Sequence, residues 1–298
     1  MTNNTWKKLG LTVMSASALF LAACSDDSND SDDSAEGTVD GEIELAYVSW
    51  DSEIASTNVI GQVLEDVGYD VKLTALDNAI MWEAVANDEA DAMVSAWLPG
   101  THAPQFENYS DQMEHLGPNL EGAKIGLVVP EYMDVDSIED LSDEADMAIT
   151  GIEPGAGVVA ATETALEEYE NLSDWEVKTS SSGAMVTQLK DAYENEEEII
   201  VTGWSPHWKF QSYDLKYLDD SKEVFGGEET IDTFVREDLE DDMSEAYQIL
   251  DNFYWEASDM ESVMLEIQDG TDPEEAAENW INDNQDKVAE WTDGVIEE

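Results

Sequence analysis

Arginine is almost missing from this chain. Arg236 is the only one in 298 residues, and the 11 basic residues face 72 acidic ones for a formal net charge of −61. A protein that grips nucleic acid needs Lys and Arg to neutralise phosphates, so a nucleic-acid partner is excluded. Cysteine is equally scarce: Cys24 stands alone, and no internal disulfide is possible. Histidine occurs three times, as His102, His115 and His207. A secreted hydrolase or metal enzyme built on these three would need zinc-ligand spacing or a nucleophile beside a base, and neither is visible. No metal, no cofactor and no catalytic residue are therefore expected, and the chain reads as a binder rather than an enzyme. Repeats and stalk-like segments are absent too, which leaves little for a purely structural role.

What is abundant is acid, spread along the whole length. Self-repulsion of this size is screened when salt is high, which points to a saline habitat. The protein is accordingly expected to melt at a lower temperature in dilute buffer than in molar salt; equal melting temperatures would contradict the inference.

The chain opens on an export signal, with Lys7 and Lys8 followed by the apolar run Leu9 to Leu21. That run is too short to span a membrane in the mature protein. It ends Leu21-Ala22-Ala23-Cys24, similar to the lipobox of bacterial lipoproteins, in which the cysteine is lipidated after cleavage. Residues 1–23 are then a signal peptide. Residues 24–41, rich in Ser, Asp and Asn, form a tether that cannot bury enough apolar surface to fold. A lipid anchor at Cys24 would hold the protein on the outer face of the cell membrane.

From Glu42 onward, strand-like and helix-like segments alternate. Ile43 to Val48, Tyr69 to Leu76 and Ala90 to Ala96 read as strands around helices Glu53 to Val67 and Ala79 to Asn87. After a connecting run, Ile125 to Pro130, a second unit repeats the pattern. Its strands are Met147 to Ile152, Trp175 to Thr179 and Glu198 to Thr202; its helices are Val158 to Tyr169 and Ala184 to Tyr193. Strand-like Asp214 to Leu218 and Thr230 to Val235 precede a helical end, where Pro273 lies in the first turn of a capped helix. Two α/β units in tandem predict two lobes with a hinge and a cleft between them: 42–128 plus 214–298 as lobe 1, and 129–213 as lobe 2. Trp255, Trp280 and Trp291, in the closing helices, read as packing residues.

Three strand-like runs each end in an indole: Trp50, Trp97 and Trp204. Taken singly, each is equally a core residue capping a sheet. All three precede polar or turn residues, and strand ends of an α/β sheet open on a common crevice. Several indole faces together suit a quaternary ammonium, a cation with no N–H to donate, which is attracted to aromatic rings. The turn Gly151-Ile152-Glu153-Pro154-Gly155-Ala156-Gly157-Val158 precedes a helix whose first amides can receive a carboxylate; the alternative is a simple tight turn. His102 can donate one more hydrogen bond to such an anion.

Four stretches resemble the glycine betaine binding lipoproteins of osmoprotectant ABC importers: Ala46 to Glu53, Ser95 to His102, Thr150 to Gly157 and Thr202 to Trp208. The similarity runs from about Glu42 to Trp291. It implies a two-lobed periplasmic-binding-protein-like (type II) α/β fold in which a prism of tryptophans holds the trimethylammonium, here Trp50, Trp97 and Trp204. Two backbone amides, here Gly157 and Val158, and a histidine, here His102, would hold the carboxylate. The implied partners are glycine betaine or a related zwitterion such as proline betaine, and the transmembrane subunit of an ABC permease, with the binding protein a monomer. Some members of the family are circularly permuted and begin with the glycine-turn lobe; this chain has the other order. A choline or carnitine binder would keep the aromatic box and change the anion half.

Overall fold

The computed structural model describes residues 41–295. The expected export signal, the expected lipidation site Cys24 and the expected tether up to residue 40 lie outside the described residues.

The first unit is β1 (Glu42–Tyr47), α1 (Asp51–Val67), β2 (Asp70–Ala75), α2 (Asn78–Ala86), β3 (Ala92–Leu98) and α3 (Ala103–Tyr109). A long strand, β4 (Met113–Pro130), leads to β5 (Ala148–Gly151), α4 (Gly157–Glu168), β6 (Glu176–Thr179), α5 (Ser182–Asn195), β7 (Val201–Ser205), α6 (Lys209–Ser212) and β8 (Leu215–Tyr217). The chain closes with β9 (Glu229–Arg236), α7 (Leu239–Asp242), α8 (Ser244–Asn252), α9 (Ala257–Gln268), α10 (Pro273–Asp283) and α11 (Gln285–Trp291).

The strands run in the order β2-β1-β3-β9-β4-β7-β5-β6, with β8 also on β4. β1 pairs in parallel with β2 and β3, and β5 in parallel with β6 and β7, as βαβ crossovers require. β4 joins the two halves. Its residues 113–123 pair with β9, whereas Lys124 to Pro130 pair with β7 and β8. Only the end of this strand is evident as a connecting run, because Gly117 and Gly122 take positive φ and the register on β9 shifts near both. Such breaks erase the period of two by which a strand is recognised.

Apolar burial follows the pattern of the chain. β3 is buried at every position, as expected of a strand covered on both faces. β3 runs to Leu98 and β7 to Ser205, so Trp97 and Trp204 lie within the last residues of their strands rather than beyond them. Backbone pairing of Trp97 with Ile231, and of Trp204 with Ile125, carries the strands through the indoles. The closing helices α9 and α10 return to pack on α1. There Trp280 lies 5.6 Å from both Trp255 and Trp291, and all three are buried. No helix among the described residues is long and apolar enough to cross a membrane.

Candidate functional site

Between the two halves lies a cavity. All six residues picked out above line it: Trp50, Trp97, Trp204, His102, Gly157 and Val158. The remaining wall is apolar or small, with Ser52, Thr101, Ile125, Ile152 and Ala156. Each of the three indoles is at least nine-tenths buried, so a cation held among them would be largely desolvated, the condition under which an aromatic face attracts it most.

The turn from Trp97 to His102 is closed on itself. His102 N–H donates to the Trp97 carbonyl at 2.9 Å, and Trp97 N–H donates to His102 Nδ1 at 3.0 Å. The five-residue spacing is thus the size of a loop that hydrogen-bonds its histidine to its tryptophan. Because Nδ1 accepts, the proton of the neutral imidazole sits on Nε2. Burial pushes the pKa of His102 down to about 3, so the ring is neutral at physiological pH. Nε2 is buried without any partner, an N–H held ready for an acceptor. Trp82 meets the ring edge-on at 5.8 Å and Trp50 stacks near it at 6.5 Å, which fixes its plane.

Glu229, at the start of β9, holds the same turn from outside. Its carboxylate accepts from Gly100 N at 2.6 Å, from Thr101 N at 2.7 Å, and from the Thr101 hydroxyl. Three donors on one carboxylate make a rigid clamp.

On the opposite wall, α4 begins at Gly157, so the amides of Gly157 and Val158 are the first two of the helix and have no carbonyl within it to receive them. The positive end of a helix favours an anion there. Gly157 is demanded by packing as well: a Cβ at this position would lie 2.4 Å from the Thr101 carbonyl oxygen. The glycine turn and the Thr101 turn, from different halves of the molecule, are in direct backbone contact.

Further bonds join the halves around the cavity. Trp50 Nε1 donates to Glu153 Oε2 at 3.0 Å, and Ser182 N donates to Glu153 Oε1 at 3.0 Å. Asp51, beside Trp50, accepts from Trp208 Nε1 at 2.9 Å and from Ser182 Oγ at 3.3 Å. His207 Nε2 stands 3.7 Å from the same carboxylate. Asn78 Nδ2 donates to the Gly155 carbonyl at 3.4 Å. The arrangement is a closed cleft. Asp51, Glu153 and Glu229 went unmarked in the sequence because nothing in their spacing sets them apart from the other acidic residues.

Neither remaining histidine lines the cavity. His115 pairs with Asp232 at 2.5 Å and stacks on Phe234, while His207 Nδ1 accepts from Lys209 N at 3.1 Å. Among the described residues no three potential metal ligands gather.

Comparison with known proteins agrees with this geometry. The family model "OpuAC: Substrate binding domain of ABC-type glycine betaine transport system" matches residues 41–283. The glycine betaine/carnitine transport binding protein GbuC of Listeria monocytogenes serotype 1/2a (strain 10403S) is 52% identical over 161 residues, 54% of this chain and 54% of its own. The chain thus spans about half the length of that relative. Among solved structures, lactococcal OpuAC in its closed-liganded conformation with glycine betaine is 55% identical, with a TM-score of 0.83 over 85% of this chain and 99% of that one. The glycine/betaine/L-proline-binding protein ProX from Borrelia burgdorferi is 33% identical, with a TM-score of 0.81 over 84% of this chain and 96% of its own. The fold they share with this protein is the two-lobed, periplasmic-binding-protein-like α/β arrangement. Three indoles facing a buried N–H and a helix start, in a cleft that the match at 41–283 spans, assign the chain: it belongs to the substrate-binding domain family of ABC-type glycine betaine transport systems.

Proposed function

We propose that this protein is the extracytoplasmic solute receptor of an ABC importer and that it binds glycine betaine, with proline betaine as a second ligand, for uptake as an osmoprotectant. The observation that carries the reading is the unpartnered His102 Nε2–H, buried in a cavity with three indoles on its walls. The indoles Trp50, Trp97 and Trp204 take the trimethylammonium, and His102 with the amides of Gly157 and Val158 takes the carboxylate. Trp50, Trp97 and His102 come from one lobe and Gly157, Val158 and Trp204 from the other, so a ligand touching both favours the closed state. The division between lobes falls within β4 near residue 123 and again before β9 near 228, a reading supported by the change of pairing partners along β4 and by β8 joining the second sheet half. That is a larger second lobe than 129–213. Lipidation of Cys24 would keep the receptor, as a monomer, on the outer face of the membrane beside its permease. Binding without turnover is all this role requires.

A choline binder would have no use for the carboxylate donors. Calorimetric competition tests the distinction: betaine is expected to displace choline from the wild type. His102→Leu should weaken betaine by roughly 10- to 100-fold, the range of one hydrogen bond to a charged group, and leave choline little changed. Equal loss for both ligands would remove His102 from the carboxylate.

A further inference from the structure

Lys209 is a lysine with no exposure at all, at the start of α6. Its Nζ sits 4.4 Å from the centroid of the Trp204 ring and 3.4 Å from the Trp204 carbonyl oxygen. Lys209 does not itself line the cavity, whereas the Trp204 ring it lies over does. One ring is thus shared by a basic group and the ligand cavity.

We propose that Lys209 is an affinity-determining residue that acts through Trp204: a cation over the ring draws on the same π density that attracts the ligand's cation, so protonation of this amine weakens betaine binding. The inference rests on the betaine reading above. An indole offers negative potential on both faces, and a positive charge on one diminishes what the other can offer. A full positive charge this deep is also disfavoured by burial, which pushes Lys209 down to about 7, while Asp51 opposes that shift.

Several charged and titratable groups surround Lys209. Asp51, on α1 across the cleft, is the facing carboxylate and favours the ammonium. His207, in the same turn, is held neutral by burial and by Lys209 itself. The Phe210 ring lies 5.2 Å from Nζ. Tyr217, stacked on Phe210, has its phenol held protonated by burial. Glu261 of α9 reaches the His207 amide at 3.4 Å and Gln211 at 3.0 Å. Elsewhere near the cavity, Glu53 is the other buried group that titrates close to neutrality, its carboxyl pushed up to about 8 by burial.

The sign follows. At low pH the ammonium stands over the Trp204 ring and opposes the ligand's cation; as pH rises through neutrality the amine loses its proton and the opposition ends. By linkage, binding of the cation expels the proton. Betaine's own carboxylate is ionised throughout this range.

The test is calorimetric titration of the full chain with glycine betaine in molar salt from pH 5.5 to 8.5, in two buffers of different ionisation enthalpy. In the wild type the affinity is expected to tighten roughly tenfold across this range, with a fraction of a proton released near pH 7. Lys209→Met should abolish both effects, and Glu53→Gln should preserve them. A wild-type affinity independent of pH with no proton release overturns the proposal without touching the betaine reading. So does a pH dependence that survives in Lys209→Met or disappears in Glu53→Gln, and the last arm holds even if the methionine variant does not fold. Absence of betaine binding at every pH overturns both.

Discussion

Trp204→Ala is expected to weaken glycine betaine binding by at least about 30-fold, the equivalent of a desolvated cation–π contact of about 2 kcal/mol. The indole is only 4% exposed and lines the cavity from β7. Its loss removes an aromatic face from the ligand's cation and also a contact with the His207 ring at 4.7 Å. Truncating a buried tryptophan costs about 3–5 kcal/mol of stability as well, so thermal melting must accompany the titration. Trp204→Phe separates the two effects, since phenylalanine keeps a ring with a weaker quadrupole. The predicted order of affinity is Trp, then Phe, then Ala. Wild-type affinity in a folded Trp204→Ala protein would remove this residue from the site.

Gly157→Ala is the second large effect, and it works by geometry. The added Cβ would stand 2.4 Å from the Thr101 carbonyl oxygen and 2.5 Å from Thr101 Cγ2. The Thr101 turn cannot easily yield, because Glu229 clamps it through two amides and a hydroxyl. Nor can the turn shift without displacing His102, whose ring is bonded to Trp97 in the same loop. The strain is relieved by parting the lobes, so the substitution penalises the closed state while leaving the amide of residue 157 in place. Overpacking costs about 1–3 kcal/mol, which corresponds to a loss of affinity between about 5-fold and 150-fold. The unliganded melting temperature should scarcely move, because alanine is well tolerated in a first helical turn. Gly183→Ala is the control: nothing lies within 4 Å of a Cβ there, and binding should be unaffected. Unchanged betaine affinity in Gly157→Ala would mean that closure does not bring these two turns together.

Much of the site is legible in the chain because its parts are local. Trp97 and His102 share one turn, Gly157 and Val158 share one helix start, and each indole ends an apolar run that reads as a strand. The alternation of strands and helices in 42–98 and 148–205 follows from periodicity for the same reason. What escapes is whatever depends on partners distant in sequence. β4 is hidden because Gly117, Pro118 and Gly122 interrupt its alternation, and its length is set by pairing with β9, more than a hundred residues later. Asp51, Glu153 and Glu229 carry specific bonds, yet in a chain with 72 acidic residues a carboxylate announces nothing. Lys209 is hidden in another way: a lone lysine reads as a solvated side chain, and only the fold reveals that this one is buried against Trp204.

The central claim is that one cavity takes both ends of a single zwitterion and that the indoles form its cationic half. Titration of glycine betaine into the protein in molar salt, followed by tryptophan emission, tests it most directly, because Trp50, Trp97 and Trp204 all face the cavity. The account predicts a saturable change fitting one site and nearly lost in Trp204→Ala. An emission that does not change with betaine while the protein remains folded would contradict it.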